Sequence, residues 1–182
     1  MEISSTLKNS KLIITILLIL IGVIFRLIPH EANFAPVAAL SLAAGAMLGR
    51  KYAIIVPLSI MAISDAFIGF YNTVLFTWSA FILIALFGTA FKNSSFAKRA
   101  LVGSLGASII FFVVSNLGVW ISSGMYTHTL QGLVQCFYMA LPFLRATLLS
   151  DLFFSVVTFS VLMYALKPLH TLARPTINQY VG

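Results

Sequence analysis

Long apolar runs alternate with short polar clusters along almost the whole chain. Runs able to span a bilayer need about 20 apolar residues each. Reading the runs against charges and turn formers predicts six helical spans: Leu12 to Ile28, Pro36 to Leu48, Tyr52 to Phe70, Val74 to Phe91, Leu101 to Ile121 and Ala146 to Leu166. The apolar opening run is read as the first span rather than as a cleaved signal.

Two stretches break the regular pattern. The second span is short, and Pro36 suits a first helical turn. It carries small residues at helical spacing, Ala35, Ala39 and Ala43, followed by Gly45 and Gly49, so another helix is expected to pack closely on it, from within the bundle or from a partner protein. The run from Leu133 to Leu166 is too long for one crossing and contains Pro142. Leu130 to Leu141 is therefore expected as a short helix lying at the membrane surface or re-entering it before the last span.

Composition turns the pattern into a class. Of 182 residues, 60% are hydrophobic and only 8% charged, and mean hydropathy is +1.05. Soluble domains are about one quarter charged. The prediction is an all-α, polytopic membrane bundle, one integral domain over 1–182 with tails at 1–11 and 168–182, and the lipid bilayer as its surroundings. The net charge of +7 does not make a nucleic-acid surface, because the basic residues stand singly or in pairs between apolar runs. A single cysteine, Cys136, excludes an internal disulfide and any Cys–Cys metal pair.

The basic residues give an orientation. If both termini are cytoplasmic, nine of the eleven lie inside: Lys8, Lys11, Arg50, Lys51, Lys92, Lys98, Arg99, Lys167 and Arg174. Arg26 and Arg145 remain outside as exceptions. On this orientation most unusual polar residues collect in the outer third, among them Arg26, His30, Glu31, Asn33, Asp65, Asn116, Trp120, Tyr126, Arg145 and Asp151.

Asp65 falls about 8 Å below the outer end of its helix at 1.5 Å per residue, and Asp151 is similarly deep. A carboxylate there costs a few kcal/mol unless it finds a partner or a wet cavity. Arg26 and Arg145 lie at matching depths, so Arg–Asp pairing is expected. Trp120 and Tyr126, next to Asn116, are candidates for the wall of an outward pocket suited to a planar organic ligand.

PLSIMAISDAF from Pro57 and PFLRATLLSDLF from Pro142 share a Pro, Ser-Asp, Phe order on helices of opposite direction, the form of an inverted repeat. No phosphate-binding glycine loop, H-E-x-x-H or G-x-S-x-G occurs, so no enzyme, metal site or cofactor is predicted.

RLIPHEANFAPVAALSLAAGA, PLSIMAISD, FFVVSNLGVW, MYTHTLQGLVQCFYMALPF and SDLFFS, in that order from Arg26 to about Phe159, resemble an uncharacterised bacterial multi-pass family described as transport proteins. More distantly, the six spans, the small-residue helix and the outward polar pocket resemble the S components of energy-coupling-factor vitamin transporters. That resemblance implies a transmembrane coupling subunit, with separate ATPases, docking on Ala35, Ala39 and Ala43. The small-residue surface lies here on the second span rather than the first.

The function expected is a substrate-binding subunit in the bacterial inner membrane that captures a small nutrient or vitamin from the outer side. Arg26, His30, Glu31, Asn33, Asp65, Asn116, Trp120, Tyr126, Arg145 and Asp151 are its expected binding residues. An ion- or proton-coupled carrier using Asp65 or Asp151 is one alternative. A membrane enzyme working through Glu31, His128 and Cys136 is another.

Overall fold

The computed structural model describes the backbone of residues 2–172 and the side chains of 9–166. Six α-helices follow one another: α1 (Glu2–Leu27), α2 (Val37–Ala43), α3 (Arg50–Ile68), α4 (Val74–Gly88), α5 (Ser104–Ser122) and α6 (Leu130–Leu172). A π-helical turn, Ala44–Leu48, extends α2, and another, Lys98–Gly103, leads into α5. Five segments are long and apolar enough to cross a membrane: Asn9–Leu27, Arg50–Ile68, Val74–Phe91, Lys98–Ser122 and Leu130–Leu166. Val37–Leu48 is shorter.

Contacts at its two ends set the course of α2. Lys11 Nζ donates to Leu48 O at 3.5 Å, while Arg26 Nε donates to Ser64 Oγ at 2.6 Å near the end of α3. The ends of α1 and α3 thus lie together at one end of the bundle, and α2 brings the chain back from it towards Lys11. A turn closed by Phe34 N–H on Glu31 O starts this return, with Asn33 at φ 62°, a left-handed value that asparagine tolerates better than most residues. Gly49, at φ 106°, makes the reversal into α3.

All seven residues of α2 are buried. The helix runs through the middle of the bundle against α4, α6, α3 and α5. Of the two partners expected for the small residues Ala35, Ala39, Ala43, Gly45 and Gly49, the one found is the bundle itself; the docking of a coupling subunit on Ala35, Ala39 and Ala43 is not compatible with this burial. Ala39 and Ala43 are enclosed and Ala35 is half-buried. Gly45 lies against the backbone carbonyl of Ala85, and Gly88 against that of Leu42, with no room for a Cβ at either. Gly49 serves the turn, with open space beside it. The physical reason for the close fit is that lipid tails are as apolar as leucine, so helices in a bilayer gain by close approach rather than by escaping water.

The second correction concerns α6. No break occurs at Pro142: Leu130–Leu172 is one helix of 43 residues. Proline removes one N–H and crowds the carbonyl four residues earlier, but neighbouring groups in a bundle can absorb that loss. Pro57 is accommodated inside α3 in the same way. At 1.5 Å per residue α6 is about 64 Å long, twice a hydrocarbon core of about 30 Å. The expected tail 1–11 is helical from Glu2 as part of α1, and 168–172 belongs to α6. Met1 and 173–182 lie outside the described residues.

The core gathers Leu42, Val56, Ile60, Met61, Ile84 and Phe159, each essentially inaccessible. α1, by contrast, packs mainly on α3 and leaves Leu12, Ile13, Ile16, Leu17 and Leu20 exposed. So much exposed aliphatic surface on one helix suits hydrocarbon, not water.

Candidate functional site

At the Arg26 end of the bundle, a cavity of about 670 Å³ opens among the loops. All three loops at that end contribute: His30, Ala32, Asn33 and Ala35 from α1–α2, Tyr71 and Thr73 from α3–α4, Met125 and Tyr126 from α5–α6. Its volume lies in the range of small-molecule sites, which are mostly apolar with a few placed polar groups.

One face of α6 forms the full depth of a wall. Cys136, Met139, Ala140, Phe143, Thr147 and Asp151 line the cavity at three- and four-residue steps, the spacing of a single helix face. From Cys136 to Asp151 this stripe runs about 22 Å. It exists because α6 continues through Pro142. Facing it, α4 and α5 supply Thr77, Phe81, Phe111, Phe112, Ser115, Asn116 and Val119. Phe81 and Phe111 stack with centroids 5.1 Å apart and planes 29° from parallel.

Several polar groups on the wall have part of their bonding capacity free. Asn116 Nδ2 donates to Phe112 O at 2.7 Å, and its side-chain carbonyl takes no hydrogen bond from the described residues. The Cys136 thiol is buried and donates to Asn116 O at 3.5 Å. Thr147 and Ser115 turn their hydroxyls back on their own helices, to Phe143 O and Phe111 O. Asp151 accepts from Ser108 Oγ at 2.7 Å through Oδ2, and its other oxygen takes no hydrogen bond from the described residues. Next to it, Ser150 Oγ donates to Ala35 O at 3.3 Å, tying α6 to the start of α2.

Of the residues singled out in the sequence, Arg26, His30, Asn33, Asn116, Tyr126 and Asp151 line this cavity. Glu31, Asp65, Trp120 and Arg145 do not. Asp65 is fully buried and ion-paired with Arg26, as the matching depths predict. Its other oxygen accepts the indole N–H of Trp78 at 2.7 Å. Trp78, on α4, is thus the third partner of this network. Trp120 donates to Thr127 O at 2.9 Å and meets His128 edge-on, with centroids 5.6 Å apart, which pins the α5–α6 loop.

The expected pairing of Arg145 with Asp151 is absent. Arg145 is exposed, and the only ion pair among the described residues is Arg26–Asp65. In one straight helix, six residues turn the second side chain well away from the first at 3.6 residues per turn. Glu31 and His128 are exposed, whereas Cys136 is buried in the wall, so the acid, imidazole and thiol considered for an enzyme occupy different settings. No group of three His, Cys, Asp or Glu side chains converges as a metal site among the described residues.

Phe81, Phe111, Phe112 and Phe143 are not recognisable as lining residues in the sequence, because aromatics in apolar runs read as core. The α6 stripe is hidden in the sequence by Pro142, which reads as a break in the helix. Its signal, Cys136, Ala140, Phe143, Thr147 and Asp151 on one helical face, is visible once the helix is taken as continuous.

Fold and cavity define a helical protein with several segments able to cross a membrane and a small-molecule-sized site at one end of its bundle. The chain belongs to a protein family of unknown function, DUF6580, which it matches over residues 6–172. Comparison with curated proteins and with solved structures gives no match.

Proposed function

We propose that the protein is the substrate-capturing part of a membrane transport system, taking a small, flat organic molecule from the side on which the cavity opens. The observation that carries this reading is the cavity of about 670 Å³, bounded by all three loops of one end and by aromatic rings below them. With the termini cytoplasmic, as the distribution of lysine and arginine favours, that end faces outward from a bacterial inner membrane. Arg26, held by Asp65 and Ser64, braces the rim against α3. Asn116 and Tyr126 offer directional bonds, and the phenylalanines supply flat contact.

A coupling subunit of the energy-coupling-factor kind would dock on a surface other than α2, whose alanines are enclosed. The exposed side of α1 is available for such a helix or for lipid.

Native mass spectrometry of protein gently extracted in detergent tests the proposal. A reproducible small-molecule adduct is expected on the wild type and is lost when Ala140, a buried wall residue, is replaced by Phe to fill the cavity. An adduct that persists unchanged in Ala140→Phe, or no adduct together with no binding from nutrient extracts, refutes it.

A second reading is favoured by one observation. Asp151, buried on the cavity wall without a counter-charge, is also where a coupling ion or proton would bind in a secondary carrier. Uptake into proteoliposomes holding this chain alone, abolished by an uncoupler, would select that reading.

A further inference from the structure

We infer that the molecule captured in the cavity is an aromatic organic cation, whose positive group is held by Asp151 deep on the α6 wall. The inference rests on the capture reading and names its substrate class.

Three observations converge. Asp151 is 2% exposed and lines the cavity at the far end of the α6 stripe. Ser108 occupies one of its carboxylate oxygens and orients the group, and the other oxygen has no protein donor among the described residues. The charge balance of the cavity follows from the remaining pair. Arg26 is the one arginine or lysine on the wall, and Asp65 and Ser64 already engage its guanidinium. His30, the imidazole on the wall, is exposed on the loop at the mouth, with Nδ1 3.1 Å from Glu31 O. Asp151 is therefore the acid on the cavity wall that has no cationic side chain of the described residues paired with it, and it lies at depth.

An unpaired carboxylate in an apolar setting is costly, and a bound cation relieves that cost by supplying both charge and hydrogen-bond donors. The surrounding wall favours the same ligand. Phe81, Phe111, Phe112 and Phe143 line the same cavity, and phenyl rings attract a cation through their quadrupole and a flat ring system by stacking. A carboxylate or phosphate ligand would meet Asp151 as a like charge and find Arg26 already paired.

A matched set of naphthalenes tests this on the full-length protein in detergent: 1-naphthylmethylammonium, neutral 1-naphthylmethanol and 1-naphthoate, with affinities measured by calorimetry. The ring is constant, so only charge varies. The ammonium compound is expected to bind at least about tenfold more tightly than the alcohol, with naphthoate weakest. Asp151→Asn is expected to erase the difference between ammonium and alcohol while the alcohol still binds.

Equal affinity of the three in the wild type, preference for naphthoate, or no binding of any overturns the inference without recourse to a variant. So does a preference for ammonium that survives in Asp151→Asn. These outcomes also cover the case in which Asp151 holds only a proton or an inorganic cation. A neutral or anionic adduct in native mass spectrometry would overturn the cation assignment and leave capture standing. No adduct and no ligand of any charge would remove both.

Discussion

Trp78 donates its indole N–H to Asp65 across the α3–α4 interface, at 2.7 Å, on the carboxylate that Arg26 engages from α1. Three helices are thus joined through one buried acid. A charge isolated by the loss of its partner inside an apolar bundle costs far more than a hydrogen bond lost singly.

Asp65→Asn is accordingly expected to destabilise the protein by about 3 kcal/mol, because Arg26 is left without its counter-charge. Trp78→Phe should cost about 1 kcal/mol. The double variant Arg26→Gln with Asp65→Asn should recover much of the loss, since neither charge remains. Thermal unfolding in detergent measures all three, and a double variant no more stable than Asp65→Asn would show that the pair is not the source of the cost.

The free side-chain carbonyl of Asn116 on the cavity wall leads to a binding prediction. Asn116→Ala should weaken the retained ligand about tenfold, the equivalent of one hydrogen bond of roughly 1.4 kcal/mol, with little change in unfolding temperature. The check is titration of the ligand identified by native mass spectrometry against both proteins.

Close packing around α2 makes two glycines intolerant. Gly45→Ala and Gly88→Ala each force a methyl group into a backbone carbonyl of the facing helix, where no side chain can move aside. Losses of at least about 2 kcal/mol are expected, seen as poor recovery of monodisperse protein or an early unfolding transition.

Ser155 gives a prediction of opposite sign. Its hydroxyl is fully buried and finds no hydrogen-bond partner among the described residues. Ser155→Ala removes a desolvated polar atom without opening a large cavity and should leave stability unchanged or raise it by about 1 kcal/mol. A clear loss in thermal unfolding would mean that the hydroxyl has a partner in the folded protein.

The helical class, the helix positions up to α5 and the Arg26–Asp65 pair were legible in the sequence. Apolar run length reports directly on what a bilayer demands of a helix, and a charge deep in such a run needs a partner wherever the helices lie. Matching depth made pairing possible for both arginines but did not decide it. Arg26 and Asp65 meet; Arg145 and Asp151 do not, because rotation about the α6 axis separates them, and depth carries no information on rotation.

What the chain determined by itself was therefore one-dimensional: how much of it is apolar, where polar residues interrupt it and how far each lies from a helix end. The tertiary structure decided the rest. Proline's effect on a helix depends on neighbours that can take up the freed carbonyl, so only packing could make α6 continuous and its lining stripe one wall. The small residues of the second span fit an inner or an outer partner equally well, and only the position of α4 against Gly45 made the contact internal. Asp151 became the unpaired acid of the cavity in the same way, through what stands opposite it in space.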